Sequence, residues 1–202
     1  MTDEKTDIAI DVAIVGGGFA GMTAALRLAE AGRKPVVFEA GAEDFYKCNS
    51  RVATGALHIS FHSPMEPVED LYEAIVTGSG GTARKDLARA VAERAAMTIQ
   101  WMKDRGSEFE DHPRRMNGVP MMAPLREMVA GLDWENSGPH LFLQNLEARL
   151  VKAGGELRRG CRVKKLLRDG EGPVTGLEVE TPDGAKTFSA DAIVIADGGV
   201  QA

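Results

Sequence analysis

The sequence predicts an α/β fold organised on a parallel sheet, and three observations carry that expectation. The run Asp11-Val12-Ala13-Ile14-Val15-Gly16-Gly17-Gly18-Phe19-Ala20-Gly21 reads as a short apolar strand, a glycine turn and a helix start, and Val36-Val37-Phe38-Glu39 follows as a second strand closed by an acid. From about residue 156 to 190 the apolar spacing changes to that of short strands, with turns at Gly170-Glu171-Gly172 and Pro182-Asp183-Gly184, a pattern that reads as a β-meander. Ala192-Ile193-Val194-Ile195-Ala196 is then wholly apolar, as expected of a strand buried on both faces of a parallel sheet.

Each part of the first segment has a role in holding a dinucleotide. Gly16 permits the tight turn out of the strand, Gly18 lets backbone approach a pyrophosphate, and Gly21 lets the helix pack closely on the sheet. The helix N-terminus, entered at Phe19-Ala20, then directs amides and a partial positive charge at the phosphates. Glu39 lies eighteen positions after Gly21, near the spacing expected of an acid that bonds a ribose hydroxyl. Strand, turn, helix and acid together make the signal far more specific than the glycines alone, and the expectation is a Rossmann-like dinucleotide-binding domain. A carboxylate at Glu39 would repel a 2′-phosphate, which disfavours NADP and leaves both NAD and the adenosine half of FAD open.

The elements follow in order. Val12–Val15 is the first strand, Phe19–Ala31 an amphipathic helix stopped by Gly32, and Pro35–Glu39 the second strand. Residues 40–64 are punctuated by Gly41, Asn49, Ser50, Gly55 and Pro64 and read as a long loop, a length usually tied to function. Glu66–Thr77 reads as a short helix. Arg84–Arg105 is the longest, with Leu87, Val91, Ala95, Thr98 and Met102 at three- and four-residue spacing as its apolar face. Residues 110–137 are expected to make a surface excursion, and Pro139–Ala153 a further helix. Glu156–Arg158, Val163–Leu167, Val174–Glu180 and Lys186–Phe188 are expected to be separate strands ahead of Ala192–Ala196.

Composition bounds the function. At 202 residues the chain can bury a substantial core, its length suggesting one domain or one and a half, and 44% hydrophobic with 27% charged residues is ordinary for a globular protein. A net charge of −6 argues against nucleic acid or an anionic membrane surface as partner. With no signal-like or bilayer-spanning stretch, the expected location is cytoplasmic without membrane insertion, and Cys48 and Cys161 are expected to be reduced thiols.

Four blocks in order give the chain a resemblance to the FAD-binding portion of the fumarate reductase and succinate dehydrogenase flavoprotein family, whose soluble relatives include 3-ketosteroid dehydrogenases, tricarballylate dehydrogenase and urocanate reductase. They are the glycine turn with Glu39, the stretch Cys48-Asn49-Ser50-Arg51-Val52-Ala53-Thr54-Gly55, the run from Leu146-Glu147 through Gly154-Gly155-Glu156-Leu157 into Val163-Lys164-Lys165-Leu166, and Ile193-Val194-Ile195-Ala196-Asp197-Gly198-Gly199. The resemblance implies a Rossmann-like FAD-binding domain of the glutathione reductase type, its capping domain absent from these residues. It implies FAD contacts from Gly16, Gly18, Ala20, Gly21, Glu39, Ala40, Asn49, Ser50, Ala53, Thr54 and Gly55, from the Val163 backbone at the adenine edge, and from Ala196, Asp197 and Gly198. Respiratory relatives carry a flavin-linked histidine in the loop that here reads Asn49-Ser50-Arg51, so FAD is expected to be non-covalent. Cys48 and Asp197 depart from the family's usual glycine and threonine.

The implied activity is hydride transfer between flavin N5 and an alkane/alkene bond next to a carbonyl or carboxylate of a small-molecule substrate. The family's substrate groups come mostly from a capping domain and a later segment, so no catalytic residue is assigned. Because the chain stops shortly after Gly199, it reads as the end of a segment, which a partner chain or a C-terminal half could complement. The alternatives are a flavin-binding module without autonomous catalysis and, less favoured, an NAD-dependent dehydrogenase; in the latter, further parallel strand–helix units would stand where the meander does. His58 and His62, four apart, lack further ligands at suggestive spacing, and no metal site is expected. His112 and His140 read as loop residues, Arg114, Arg115 and Arg126 as scattered surface cations, and Met116, Met121, Met122 and Met128 as padding for an interdomain contact.

Overall fold

The computed structural model describes residues 7–111, 118–126 and 135–199. In chain order the elements are β1 (Asp7–Val15), α1 (Phe19–Glu30), β2 (Pro35–Phe38), α2 (Val68–Gly78), α3 (Lys85–Asp104), β3 (Glu108–Asp111), β4 (Pro120–Ala123), α4 (Gly138–Lys152), β5 (Glu156–Arg158), β6 (Arg162–Arg168), β7 (Val174–Thr181) and β8 (Gly184–Ile195). They fall into two compact units, Met1–Val52 with Leu143–Ala202, and Ala53–Phe142.

The first unit is built on a six-stranded sheet in the order β5-β2-β1-β8-β7-β6. β5, β2, β1 and β8 run parallel, while β7 and β6 add antiparallel pairs at one side. β1 holds the middle of the parallel part because both its faces are apolar. Ala13 joins a core with Val36, Phe38, Leu177, Val179 and Phe188, and Ile14 on the opposite face meets the start of α1. Phe38 and Phe188 pack edge to face with centroids 4.9 Å apart. α1 buries Met22, Ala25, Leu26 and Ala29 and stops where Gly32 takes φ +82°.

Two strand expectations are corrected here. Lys186–Phe188 and Ala192–Ala196 are one strand, β8, which pairs with β7 through residues 184–189 and with β1 from Thr187 to Ile195. Residues 189–191 between the two expected strands continue the same strand, whose ladder bonds come from β7 on one side and β1 on the other. The far end of β8 is also less buried than expected: Ile193 reaches the core, but Ile195 is 60% exposed, no described element covering it. Glu156–Arg158 pairs in parallel with β2, so the meander proper consists of β6, β7 and β8.

In the second unit α2 and α3 pack through Leu71 against Ala92 and Ala95, flanked by Ile59 and Tyr72. The buried face of α3 is Ala88, Ala92, Ala95, Ile99 and Met102, whereas Leu87 and Val91 are 54% and 51% exposed. Ala95 and Met102 are buried as expected, while Ala88, Ala92 and Ile99 take the places expected of Leu87, Val91 and Thr98, one residue along. Small alanines let the two helices approach closely, and the larger side chains beside them stay outside. Arg89 reinforces the pair by lying 4.0 Å over the Tyr72 ring while bonding both Glu69 oxygens.

The expected surface excursion contains structure of its own. β3 and β4 pair antiparallel, with Met121 and Met122 buried, so these two methionines are core side chains of this unit. Met116, Met128, His112, Arg114 and Arg115 lie outside the described residues. His140, read as a loop residue, is 4% exposed in the first turn of α4.

Candidate functional site

A cleft of about 690 Å³ opens in the first unit where the parallel strands β1, β2 and β8 end. Its size suits a cofactor, and its place at strand carboxyl ends is where open α/β sheets bind ligands. Residues 15–20, 38–40, 47–50, 161–163 and 196–199 line it.

The glycine turn forms the floor. Gly16 sits at φ +98°, and its amide donates to the Phe38 carbonyl at 2.9 Å. A Cβ there would lie 2.5 Å from the Ala196 carbonyl oxygen, so no side chain fits between the ends of β1 and β8. Gly18 is the N-cap of α1, and the helix's first internal bond runs from the Met22 amide to the Gly18 carbonyl. The amides before Met22 therefore have no partner within the helix. Ser50 takes one of them, its Oγ accepting from the Phe19 amide at 2.9 Å. Gly21 lies outside the cleft lining and serves packing, since a Cβ there would fall 2.0 Å from the Gly16 carbonyl oxygen.

Glu39 lines the cleft at 7% exposure, with both carboxylate oxygens engaged. Oε2 accepts from the Gly17 amide and Oε1 from the Gly41 amide, each at 2.8 Å. A carboxylate has about four acceptor sites, so these bonds fix its orientation and leave capacity for a hydroxyl donor. Asp197, Lys47 and Arg162 line the same cleft.

Ala20, Ala40, Asn49, Ser50, Val163, Ala196, Asp197 and Gly198 all line the same cleft. Ala53, Thr54 and Gly55 belong to the second unit, where Gly55 takes φ +87° and a Cβ would lie 3.3 Å from Met122 and Pro139. Also in that unit, His62 Nδ1 lies 2.8 Å from Glu66 Oε2 and the His58 ring stacks on Phe61, so each has a local partner.

Tyr46 is the main residue that sequence reasoning missed. It is 1% exposed, and its hydroxyl donates to the Gly17 carbonyl at 2.8 Å. Burial pushes its phenol up to about 12, so it stays a donor throughout the neutral range. The polar run Ala42-Glu43-Asp44-Phe45-Tyr46-Lys47 masks it as surface loop; in the structure the Arg51 guanidinium carbon sits 5.2 Å from the Phe45 ring centre and 4.3 Å from that of Tyr46. Cys48 and Cys161 are free thiols that line the cleft, and burial pushes both upward, away from the thiolate form.

Comparison with known proteins places this arrangement in a family. The family described as the FAD binding domain matches residues 11–202, and the chain belongs to it. It is 31% identical over 215 aligned positions to the acrylate reductase flavoprotein subunit of Shewanella woodyi, covering 96% of this chain and 40% of that protein. It is 25% identical to the fumarate reductase (cytochrome) of Shewanella frigidimarina over 94% of this chain and 33% of that protein. The 3-ketosteroid-delta4-(5alpha)-dehydrogenase of Rhodococcus jostii RHA1 shares the fold with a TM-score of 0.77 at 19% identity, over 98% of this chain and 47% of that one. An open-conformation flavocytochrome c3 fumarate reductase does so with 0.76 at 24% identity, over 95% and 34%. The chain spans about a third of the length of many of the curated relatives it matches. The chain is an FAD-binding domain, and the relatives named above are what it is similar to. Among the described residues no helix is long and apolar enough to cross a membrane.

Proposed function

We propose that this chain holds FAD non-covalently in the cleft of its first unit, as the flavin-carrying part of an oxidoreductase acting on a carbon–carbon bond next to a carbonyl or carboxylate. The observation that carries the reading is the glycine turn at the end of β1, locked to a buried Glu39 at the end of β2.

The residues fit the group. Gly16 and Gly18 keep the floor free of side chains, and the open end of α1 directs amides and the positive end of its dipole toward a diphosphate. Glu39, fixed by two amides, keeps acceptor capacity for a ribose hydroxyl and would repel a 2′-phosphate. The antiparallel β6–β7–β8 arm stands where an NAD domain would continue with parallel strand–helix units, which favours FAD over NAD. Non-covalent attachment is proposed from the loop Asn49-Ser50-Arg51, which stands where the resemblance implies a flavin-linked histidine in respiratory relatives.

When bound, FAD supplies a two-electron carrier that takes up or gives back a hydride. The part of this chain is to bind and orient it. Substrate-binding and proton-moving groups are assigned to the rest of the full-length protein, as the family resemblance implies. The test is titration of the full-length apoprotein with FAD, NAD and NADP, followed by reoxidation of the reduced protein with a panel of α,β-unsaturated acids and ketones. FAD is expected to bind far more tightly than either nicotinamide dinucleotide, and an unsaturated acid or ketone to reoxidise the flavin. Preference for NAD would overturn the cofactor assignment, and indifference to the whole panel would overturn the reaction class.

A further inference from the structure

We infer that Tyr46 is a positioning residue for the cofactor diphosphate, because its hydroxyl holds the Gly17 carbonyl and so turns the Gly18 amide into the cleft. The inference rests on the FAD reading above and extends it to a residue outside the glycine motif.

The geometry is that of a single peptide plane. The carbonyl of Gly17 and the amide of Gly18 belong to the same peptide bond, and the only cis bond among the described residues is Ala123–Pro124. In a planar trans peptide the C=O and N–H vectors point in opposite directions. Tyr46 Oη donates to the Gly17 oxygen at 2.8 Å from the buried side. The Gly18 N–H is therefore aimed the other way, and Gly18 lines the cleft. The peptide plane before it is held as well, since the Gly17 amide donates to Glu39 Oε2 at 2.8 Å. Residue 17 is thus pinned at both its polar groups, one by a phenol and one by a carboxylate.

The surroundings make room for this arrangement. A Cβ on Gly17 would lie 3.1 Å from the Tyr46 hydroxyl and 3.0 Å from Glu39 Oε2, and one on Gly41 would lie 2.3 Å from the Tyr46 Cβ. Two glycines therefore clear the space the ring and its hydroxyl occupy. The Arg51 guanidinium over the ring, 4.3 Å from its centre, holds the phenol in place.

Replacing Tyr46 by Phe keeps the ring and removes the hydroxyl, which donates to the Gly17 carbonyl and accepts from the buried Arg51 guanidinium. The Gly17 carbonyl then faces a buried surface without a partner, which is costly, and the peptide is released to turn toward another donor. The Gly18 amide leaves its aim with it.

The test compares Tyr46→Phe with the unaltered full-length apoprotein, using ADP and adenosine as probes. ADP carries the diphosphate and adenosine does not, so only ADP senses the Gly18 amide. ADP is expected to bind about tenfold more weakly to the variant, the loss of one charge-assisted hydrogen bond, while adenosine changes less than about twofold. Equal weakening of both probes, or of neither, would overturn the proposal and leave Tyr46 a packing residue. Should the variant fail to fold, the Gly18 amide resonance of the unaltered protein decides the same question. It is expected to shift with ADP and stay put with adenosine, and an unmoved resonance overturns the proposal. A protein that binds neither FAD nor ADP overturns the cofactor reading itself, and this proposal with it.

Discussion

Adding one methyl group at Gly16 should damage the protein more than adding it at Gly32, although both glycines hold positive φ. Gly32 at φ +82° has nothing within 4 Å of a new Cβ, so Gly32→Ala carries only the strain of a left-handed alanine, on the order of 1 kcal/mol. Gly16 at φ +98° carries similar strain, but its Cβ would lie 2.5 Å from the Ala196 oxygen and 2.9 Å from both the Ala196 carbonyl carbon and the Asp197 Cα. Those are backbone atoms at the end of β8, held by the Ala196 amide bonding the Val15 carbonyl at 2.8 Å. Relief requires the ends of β1 and β8 to separate by something approaching an ångström, at the cost of that bond and local packing. Adding about 1–3 kcal/mol for overpacking gives roughly 2–4 kcal/mol for Gly16→Ala. The assay is urea unfolding of both variants, with FAD affinity measured on each. The expected order is a small loss with near-normal FAD binding for Gly32→Ala, and a large loss with weakened binding for Gly16→Ala. Equal destabilisation of the two would refute the claim that close approach of β8, rather than φ alone, demands glycine at position 16.

Three further expectations rest on the same geometry. Glu39→Gln presents one amide NH₂ to a backbone N–H and removes two charge-assisted bonds, so stability should fall by about 2–4 kcal/mol with weakened FAD binding, read by thermal unfolding and flavin fluorescence. Because the Tyr46 phenol is raised from 10 to about 12, its contribution is complete below pH 10 and lost as pH rises toward 12; unfolding free energies should fall across that window by up to about 2 kcal/mol more in the unaltered protein than in Tyr46→Phe. On α3, Ala92→Leu should cost about 1–3 kcal/mol by overpacking against Leu71, whereas Val91→Ser should cost under about 1 kcal/mol, and chemical denaturation that reverses this order would restore the face expected from the sequence.

Much of the sheet was legible because β1, the glycine turn, α1 and β2 are consecutive and each carries its own local signal. β5 was legible as a strand, but its place beside β2 was not, since a three-residue segment says nothing about its partner. β8 read as two strands, Lys186–Phe188 and Ala192–Ala196; what joins them is pairing with β1 and β7, which is tertiary information. On α3 the large residues Leu87 and Val91 outweighed alanine in the pattern, yet alanine is what a close helix pair buries. The cleft residues from Gly16 to Glu39 were visible as a motif of fixed spacing. Tyr46 was not, because its role is to bond a carbonyl twenty-nine positions earlier, and no local pattern marks such a bond. His140 and Met122 show the same limit, buried side chains set in segments rich in proline, glycine and charge.

The most direct test of the central claim is the visible absorption spectrum of the purified full-length protein, taken after desalting and again after acid denaturation and removal of the precipitate. The account predicts flavin bands that survive desalting and pass wholly into the supernatant on denaturation, as FAD. A protein that is colourless and takes up no added FAD would contradict the cofactor assignment, and flavin that stays with the precipitate would contradict non-covalent binding.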